Sequence, residues 1–364
     1  MKALDTDASR PARALLAWYR ANRRALPWRE NGDPYRVLVS EIMLQQTRVE
    51  TVLSYYQRFI SAFPDVETLA AATMDEVLAK WSGLGYYSRA RRLHAAARAI
   101  VERGEFPRTE TELLELPGVG AYTAAAIASI AFGEPVAVVD GNVERVIARL
   151  LALEVDPAQG QAKRLVREAA SRLLVRDAAG DSNQALMELG AMICLPHRPR
   201  CLVCPLLEDC AARASGRVEE LPVRAPRRQG VVQRRVVAVA RRGDRFLLAR
   251  NSDRSELLAG VWEFPWTSRT ASREEWEAGL ARSYGGEWSL GDVRGSARHA
   301  ITFRSLELEI RDAEVRFDGE AVADGESRPE PGWFSVEEIA AVPTTSMVRK
   351  VLAFVAPLSA PKTR

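Results

Sequence analysis

The sequence lacks a run of the roughly 18 apolar residues that a membrane-spanning helix requires, and its N-terminal segment has no apolar core long enough for a signal peptide. It also lacks a marked excess of either charge, because 51 lysines and arginines against 48 aspartates and glutamates leave a net charge of +3. So small a charge does not by itself indicate nucleic-acid binding, and any such surface has to come from local clusters. We expect a cytoplasmic globular protein that does not bind membranes.

Cysteine is scarce, since the chain has four and all of them lie in one cluster with the spacing C-x6-C-x2-C-x5-C. A secreted disulfide-bonded protein would distribute its cysteines through the fold, so the cluster predicts a single metal site. Four thiolates within 17 residues suit a compact iron–sulfur cubane. Zinc is the alternative, although its commonest cysteine sites use two separated C-x2-C pairs. The expected ligands are Cys194, Cys201, Cys204 and Cys210.

The chain is long for one domain, and its 364 residues, 47% of them apolar, can form a sizeable core. Helical periodicity broken by glycine and proline predicts an all-α domain over residues 1–214. Residues 215–235 lack periodicity and are rich in Arg, Pro, Gly and Val, which indicates an interdomain linker. We expect an α+β domain over residues 236–358. The predicted strands after the helical domain are Val231–Ala240, Phe246–Arg250 and Leu306–Ile310, and the predicted helices are Glu274–Tyr284 and one at the C-terminus.

The stretch from Leu113 to Asn142 combines two local signals. Between two helical segments, the turn that contains Gly118 and Gly120 exposes backbone N–H groups able to hold a phosphate. Asp140 then precedes a predicted helix over Val143–Leu151, where capping bonds and the helix dipole favour an ionised carboxylate. Either signal alone is compatible with an ordinary turn or cap. Together they suggest an enzyme that acts on the sugar of a nucleic acid.

A second carboxylate lies in an apolar helix that Asp33 and Pro34 should start. Burial of Glu41 beside Val37 and Leu38 would raise its pKa and allow it to keep a proton near neutral pH, as a general acid requires. The alternative places Glu41 on the partly exposed polar face of the helix. The sequence around it leaves both possibilities open.

Four segments in this order resemble the adenine DNA glycosylases of the MutY type, which belong to the helix-hairpin-helix superfamily that includes endonuclease III. The segments are LPWR at 26–29, SEIMLQQT at 40–47, GLGYYSRAR at 83–91 and VDGNV at 139–143. The resemblance implies an all-α helix-hairpin-helix domain with a [4Fe–4S] subdomain, joined to an α+β Nudix-like domain. It further implies a monomer that removes adenine paired with 8-oxoguanine or guanine in double-stranded DNA.

The resemblance also implies roles for individual residues. Glu41 would protonate the departing adenine, and Asp140 would stabilise the sugar cation, through a covalent intermediate, with support from Asn142. Tyr122 stands where bifunctional relatives carry a Schiff-base lysine, which implies a monofunctional enzyme. The remaining implied roles are adenine binding by Trp28, Arg29 and Gln184, insertion into the base stack by Gln45 and Tyr86, phosphate contacts by Arg89 and Arg91, and hairpin contacts by Gly118 and Gly120.

The C-terminal region resembles the family's Nudix-like domain through the segment GVWEFP at 260–265. The helix around Arg273 lacks the ordered glutamates that pyrophosphate hydrolysis needs, which argues against a Nudix hydrolase. Alignment on His299 places Ile301, Thr302 and Phe303 where relatives have a Phe-Ser-His turn that contacts the lesion. Thr302 keeps a hydroxyl, but Phe303 offers no polar group where relatives have the histidine. We therefore expect the preference for 8-oxoguanine to survive through Gln45 and Tyr86, with reduced affinity for the lesion. A register shift that brings Arg304 into the turn is the alternative.

Two other functional classes are compatible with parts of the pattern. One is a bifunctional glycosylase and lyase specific for damaged pyrimidines, against which Tyr122 and the second domain argue. The other is an iron–sulfur protein that binds mismatched DNA without catalysis, against which the presence of both Glu41 and Asp140 argues.

Overall fold

The computed structural model describes residues 9–224, 230–251, 258–270, 272–301, 304–317 and 329–355. Contacts divide the chain into two compact units. The helical unit comprises Met1–Ala70 and Ala95–Pro226, and the sheet unit comprises Ala71–His94 and Arg227–Arg364. The sequence did not predict that residues 71–94 group with the C-terminal sheet. Among the described residues, no helix is both long and apolar enough to cross a membrane.

The first 214 residues are helical wherever the structure describes regular elements. Short 3₁₀ helices occur at Pro27–Arg29, Arg176–Ala178, Cys201–Val203 and Leu207–Asp209. The α-helices are α1 (Ser9–Asn22), α2 (Pro34–Leu44), α3 (Val49–Ala62), α4 (Val66–Ala71), α5 (Met74–Trp81), α6 (Ser88–Arg103), α7 (Glu110–Leu113), α8 (Ala121–Phe132), α9 (Gly141–Leu150), α10 (Gly160–Arg172), α11 (Ala179–Met192) and α12 (Ala211–Ala214). The all-α prediction for this part of the chain is confirmed.

The core of the helical unit lies between α1, α9, α10 and α11, where apolar side chains such as Leu15, Ile147 and Leu186 are fully buried. Helix α11 approaches its neighbours closely because it has glycine at two contact points. A Cβ atom at Gly190 would lie 2.6 Å from the Cβ of Asn142, and one at Gly180 would lie 2.7 Å from the carbonyl oxygen of Ser129. Because any larger side chain would clash there, these glycines determine how near α11 lies to α8 and α9.

The sheet unit contains strands β1 (Val231–Arg242), β2 (Arg245–Arg250), β3 (Trp262–Glu263), β4 (Trp266–Ser268), β5 (Glu287–Ile301), β6 (Arg304–Arg316) and β7 (Glu330–Phe334). The strand order is β3-β2-β1-β6-β5, with β4 paired to β1 and β7 paired to β2. Only the β1–β6 pairing is parallel among the described strand pairs. Strand β1 starts inside the segment 215–235 in which the sequence suggested a linker.

Helices cover both faces of the sheet: α13 (Arg273–Tyr284) on one, and α14 (Val336–Ala341) and α15 (Ser346–Val355) on the other. Alternate residues of β1 face the helices on opposite sides of the sheet. Val237 packs toward α14 and α15, whereas Val236 packs toward α13. The predicted α+β class, the three predicted strands and both predicted helices are confirmed. The sequence did not predict β5, which contains two register shifts near Gly291 and Gly295 that break its alternation.

Candidate active site

A cavity of about 540 Å³ opens in the helical unit beside α2, α8, α9 and α11. Its walls combine apolar side chains with two carboxylates that are far apart in the sequence. Eight of the residues predicted to form an active site line it, and these are Trp28, Arg29, Glu41, Gln45, Tyr122, Asp140, Asn142 and Gln184. The fold therefore brings these candidate residues together.

Glu41 lies in α2, a helix whose residues from Val37 to Met43 are all buried. Asp33 caps this helix as predicted, because its carboxylate accepts hydrogen bonds from the N–H groups of Tyr35 and Arg36. Glu41 itself is only 6% exposed, which excludes the alternative of an exposed polar face. Burial raises the pKa of Glu41 to about 7, although a hydrogen bond from Tyr122 opposes this shift. A carboxyl group with this pKa can donate a proton near neutral pH.

The hydroxyl of Tyr122 donates to Oε2 of Glu41 over 2.6 Å and lies 3.4 Å from Sδ of Met187. Tyr122 is in the first turn of α8, immediately after the glycine turn. Burial raises the pKa of the Tyr122 phenol well above its ordinary value, and the nearby carboxylates reinforce that shift. The phenol therefore remains protonated and acts as a hydrogen-bond donor to Glu41.

Asp140 is the N-cap of α9, as the sequence predicted. Its Oδ1 accepts hydrogen bonds from the backbone N–H groups of Asn142 and Val143 over 2.9 and 2.7 Å. Its Oδ2 accepts from the side-chain amide of Asn142 over 2.9 Å. Burial raises the pKa of Asp140 above its ordinary value, while these N–H donors and Arg145 oppose the shift. Three donors on one carboxylate favour its ionised form within the cavity.

Arg145 connects this cap to the cysteine region. Its guanidinium donates to the Asn142 side chain over 2.9 Å, to the Gly190 carbonyl over 2.8 Å and to the Cys194 carbonyl over 2.8 Å. Asn142 is thereby held on both sides, since its amide nitrogen binds Asp140 while its oxygen accepts from Arg145. Arg145, which holds Asn142, is thus itself fixed by two backbone carbonyls outside α9.

Glu188 is a functional candidate that the sequence did not reveal. It is 1% exposed in the cavity wall and forms salt bridges with Arg24 over 2.8 Å and with Arg29 over 3.0 Å. Burial alone would raise the pKa of Glu188, but the hydrogen bonds from the two arginines outweigh it and lower the pKa to about 2. The partners are 164 and 159 residues away in the sequence, and no local motif links them.

Trp28, Gln184 and Gln45, the remaining predicted residues of the cavity, each make a direct contact with another residue. Trp28 is 5% exposed and packs edge-to-face on Tyr56, so it is both a core residue and part of the wall. Gln184 is buried, and its amide donates to the Gly180 carbonyl over 3.3 Å. The amide of Gln45 donates to the hydroxyl of Thr123 over 3.3 Å. Gln45 follows the last residue of α2 and lines the same cavity.

The predicted hairpin lies between α7 and α8. Leu116 and Val119 are buried and anchor the turn, whereas Gly118 and Gly120 are exposed. Gly118 has a φ of 75°, which favours glycine, and Gly120 is the N-cap of α8. The backbone N–H groups at the start of α8 are thus accessible to a phosphate.

Tyr86, Arg89 and Arg91 lie in the sheet unit. Tyr86 is 38% exposed, but Arg89 is only 6% exposed, and its guanidinium lies over the rings of Trp81 and Tyr86. Arg91 donates through Nη1 to the carbonyl of Ala259 over 2.9 Å. Both arginines thus make contacts within the protein at the positions where the sequence suggested phosphate contacts. Thr302 and Phe303 lie outside the described residues.

The four cysteines line a second, smaller cavity together with Arg149 and Ile193. Burial raises the pKa of Cys204 to about 12, and the three other thiols reinforce the shift. Nη1 of Arg149 lies 3.4 Å from Sγ of Cys194, and its guanidinium also binds the carbonyls of Leu195, Pro196 and Leu221. In the described part of the chain, no three His, Cys, Asp or Glu side chains are arranged to hold a single metal ion.

Residues 39–172 match the family model of the HhH-GPD superfamily base excision DNA repair proteins. The adenine DNA glycosylase of Homo sapiens is 47% identical over 219 residues, which cover 57% of this chain and 40% of that protein. That of Schizosaccharomyces pombe is 36% identical over 320 residues, which cover 71% of this chain and 69% of that protein. The chain thus spans less than half the length of the human relative and about two thirds of the yeast one.

Among solved structures, a thermostable thymine-DNA glycosylase is similar with 30% identity and a TM-score of 0.52. The similarity covers 56% of this chain and 95% of that one. A MutT Nudix hydrolase from Burkholderia pseudomallei is similar over 34% of this chain and 98% of its own, with 21% identity and a TM-score of 0.29.

Replacing Glu188 with Gln should lower the free energy of unfolding at pH 7 by on the order of 3 kcal/mol, because two arginines lose a buried counter-charge. The folded pKa of about 2 lies below the ordinary value of 4.5. The stabilisation from Glu188 is therefore complete above pH 4.5 and is lost as the pH falls toward 2. Urea unfolding of wild type and variant at pH 7 and at acidic pH measures this, and the difference should shrink in acid. Glu115→Gln, which removes an exposed partner of Arg103, is the control, and an equal loss in both variants would contradict the prediction.

Proposed function

This chain belongs to the adenine DNA glycosylase family, and from that premise we propose that it hydrolyses the N-glycosidic bond of adenine paired with 8-oxoguanine or guanine in double-stranded DNA. The observation that carries the proposal is the pair of carboxylates in one cavity. Glu41 has a pKa of about 7, whereas Asp140 accepts three N–H hydrogen bonds. The environments thus favour a protonated Glu41 and an ionised Asp140, which glycosidic cleavage by a carboxyl pair needs.

In the proposed reaction the bond between C1′ and the base nitrogen breaks, and its electron pair leaves with adenine. The Glu41 carboxyl donates its proton to the departing base, which prevents the accumulation of negative charge there. The carboxylate of Asp140 stabilises the positive charge that develops at C1′, directly or as a covalent ester. Water then adds to C1′, releases the Asp140 carboxylate where an ester has formed, and gives its proton to the Glu41 carboxylate. The phenol of Tyr122 cannot form an imine, which supports hydrolysis without strand cleavage.

The cavity wall supports recognition of a flipped-out base. Trp28 offers a flat apolar surface, and Arg29 and Gln184 offer hydrogen-bond donors that could contact the edge of adenine. The Arg29 guanidinium is oriented by Glu188, so its donors have a defined direction. We propose that these residues bind adenine, and that Glu188 orients Arg29 for that contact.

Extrusion of the base requires side chains that enter the stack, and we propose Gln45 and Tyr86 for this role. The hairpin around Gly118 and Gly120 supports a phosphate contact, because its amides lie at the N-terminus of α8. The preference for 8-oxoguanine over guanine opposite the adenine, and a contribution of Thr302 to it, remain proposals that rest on the sequence pattern.

We propose that Cys194, Cys201, Cys204 and Cys210 hold a [4Fe–4S] cluster. The four thiols line one cavity, and the guanidinium of Arg149 lies 3.4 Å from Sγ of Cys194. When bound, the cluster would cross-link the loop between Cys194 and Cys210 and stabilise it. The high pKa of Cys204 is the value without bound iron, and binding of iron would displace the proton.

Glu41→Gln and Asp140→Asn should each lower the single-turnover rate of adenine excision by at least about a hundredfold, because each removes proton transfer or a negative charge from the transition state. Binding of the duplex should change little, since neither residue contributes a phosphate contact. Rates and binding isotherms on duplexes with adenine opposite 8-oxoguanine, guanine, cytosine or thymine test both claims. Glu67→Gln, which alters an exposed carboxylate, should behave as wild type. Near wild-type excision by either active-site variant would remove that carboxylate from the proposed mechanism.

Excision should decline as the pH rises above about 7, because Glu41 acts in its protonated form and its pKa is about 7. The Tyr122 hydrogen bond lowers the pKa of Glu41, so Tyr122→Phe should move this decline to higher pH. Single-turnover rates measured across pH for wild type, Tyr122→Phe and the control Tyr55→Phe show the shift. A decline that stays in place, or moves to lower pH, would mean that the Tyr122 hydrogen bond does not lower the pKa of Glu41.

The purified protein should contain about four irons per chain and little zinc. Cys201→Ala should lose most of the iron and bind DNA more weakly, because the loop is no longer cross-linked. Leu202→Ala, a change at an 84% exposed residue of the same loop, should keep its iron. Metal analysis and binding isotherms measure both effects. One zinc per chain without iron would replace the cluster proposal with a zinc site.

A further inference from the structure

Residues Gly83 to Tyr86, here called the wedge loop, have an unusual backbone in the sheet unit. Gly83, Gly85 and Tyr86 have positive φ values of 95°, 77° and 51°. Glycine adopts this region readily, but a tyrosine there is strained by roughly 1–3 kcal/mol. Tyr86 is also 38% exposed, so its own burial does not hold the loop. Other residues must therefore stabilise this conformation.

Trp81 and Arg89 bind the loop from one side. The indole N–H of Trp81 and Nη2 of Arg89 both donate to the carbonyl of Gly85, over 3.0 and 3.2 Å. The Arg89 guanidinium lies 5.1 Å from the centre of the Tyr86 ring and 5.5 Å from that of Trp81. Arg89 thus contacts both the backbone and the aromatic ring of the loop.

Tyr87 binds the loop to the C-terminal part of the chain. Its hydroxyl accepts a hydrogen bond from the N–H of Gly83 over 3.2 Å and donates to the carbonyl of Thr344 over 2.5 Å. The hydroxyl of Ser82 also donates to that carbonyl, over 3.1 Å, and accepts from the N–H of Thr344 over 3.3 Å. The Thr344 backbone therefore accepts two hydrogen bonds and donates one, all with the side chains of Ser82 and Tyr87 that flank the wedge loop.

Thr344 is itself held rigidly within the sheet unit. It is 4% exposed and forms a parallel bridge with Trp262, whose N–H donates to the carbonyl of Pro343 over 2.8 Å. The neighbouring Thr345 donates to the buried carboxyl of Glu263 over 3.2 Å. The wedge loop is thus attached to a buried backbone segment that pairs with strand β3. This segment lies more than 250 residues along the chain from Ser82.

We infer that Ser82, Tyr87 and the Thr344 backbone form a clamp by which the C-terminal chain positions the wedge loop, and that Arg89 fixes the Tyr86 ring within it. The inference rests on the proposed role of Tyr86 in opening the base stack. Tyr87 and Arg89 are positioning residues, since they act on the DNA through Tyr86. For Arg89, this role takes the place of the phosphate contact that the sequence suggested, because its side chain is only 6% exposed.

The test measures how far the stack is opened as well as how fast adenine leaves. Tyr87→Phe removes the bonds to Gly83 and Thr344, and Ser82→Ala removes the remaining side-chain bonds to Thr344. Tyr35→Phe is the matched control, because it deletes a buried phenol that donates to the Phe63 carbonyl over 2.7 Å. Tyr86→Ala reports the loss of the wedge itself. All variants are made in the full-length chain.

Each protein is bound at saturation to a duplex in which 2-aminopurine adjoins the base opposite a 2′-fluoro-adenosine, so that unstacking raises fluorescence without excision. We expect Tyr87→Phe and the double variant with Ser82→Ala to lose most of this rise. Single-turnover excision from the matching natural duplex should fall by about fivefold per lost hydrogen bond. Arg89→Lys should lose part of the rise as well, since an ammonium group does not stack on two rings.

A merely structural effect is distinguished by a second substrate. When adenine faces an abasic site, no opposite base has to be displaced, so the clamp variants should excise it at close to the wild-type rate. Tyr35→Phe should match wild type in fluorescence and in both rates. Circular dichroism verifies folding, and Ser82→Ala alone carries the test if Tyr87→Phe does not fold.

Three different results would overturn the inference. If Tyr86→Ala lowers the fluorescence rise but the clamp variants give the wild-type rise and rate, the wedge loop does not depend on Thr344. If Tyr86→Ala leaves the rise unchanged, the proposed role of Tyr86 is wrong and the inference fails with it. An equal loss on both substrates would show that the clamp serves stability alone, which also contradicts a positioning role.

Discussion

The 2.6 Å hydrogen bond from Tyr122 to Glu41 is the contact on which the candidate active site depends. It joins α2 to the first turn of α8 and is one of two opposing effects on the pKa of Glu41. Burial raises the pKa of Glu41, and the phenol limits that rise. Without burial in the apolar helix the Glu41 carboxyl would be ionised at neutral pH like an ordinary glutamate. Without the phenol its pKa would be higher, and it would give up its proton less readily.

The two other carboxylates of the cavity, Glu188 and Asp140, are each hydrogen-bonded to N–H donors of their own. Glu188 is as buried as Glu41 but has the opposite pKa shift, because Arg24 and Arg29 supply hydrogen bonds that Glu41 does not receive. Asp140 is intermediate, since burial and three N–H donors oppose each other. Three carboxylates in one cavity thus have three different environments, and the number of donors that reach each one explains the difference.

The features that depend on a few neighbouring residues could be predicted from the sequence, whereas those that depend on contacts between distant residues could not. Asp33 and Asp140 cap their helices because the residue type and the next two residues suffice for a cap, and both predictions are confirmed. Glu188 was missed because its partners lie about 160 residues away. Strand β5 was missed because bulges near Gly291 and Gly295 disturb the alternation that reveals a strand.

The same limit applies to Arg89, for which the family resemblance implied a phosphate contact. Its burial depends on Trp81 and on the positive φ of Tyr86, which a helical pattern does not disclose. Residues 71–94 lie between helices of the first 214 residues yet group by contact with a sheet formed mainly after residue 230. The wedge loop and the C-terminal Pro343–Thr345 segment therefore belong to the same structural unit, and substitutions in that segment act on this unit. Ser82, Tyr87 and Thr344 thus belong to one unit by contact, although the predicted linker lies between them in the sequence.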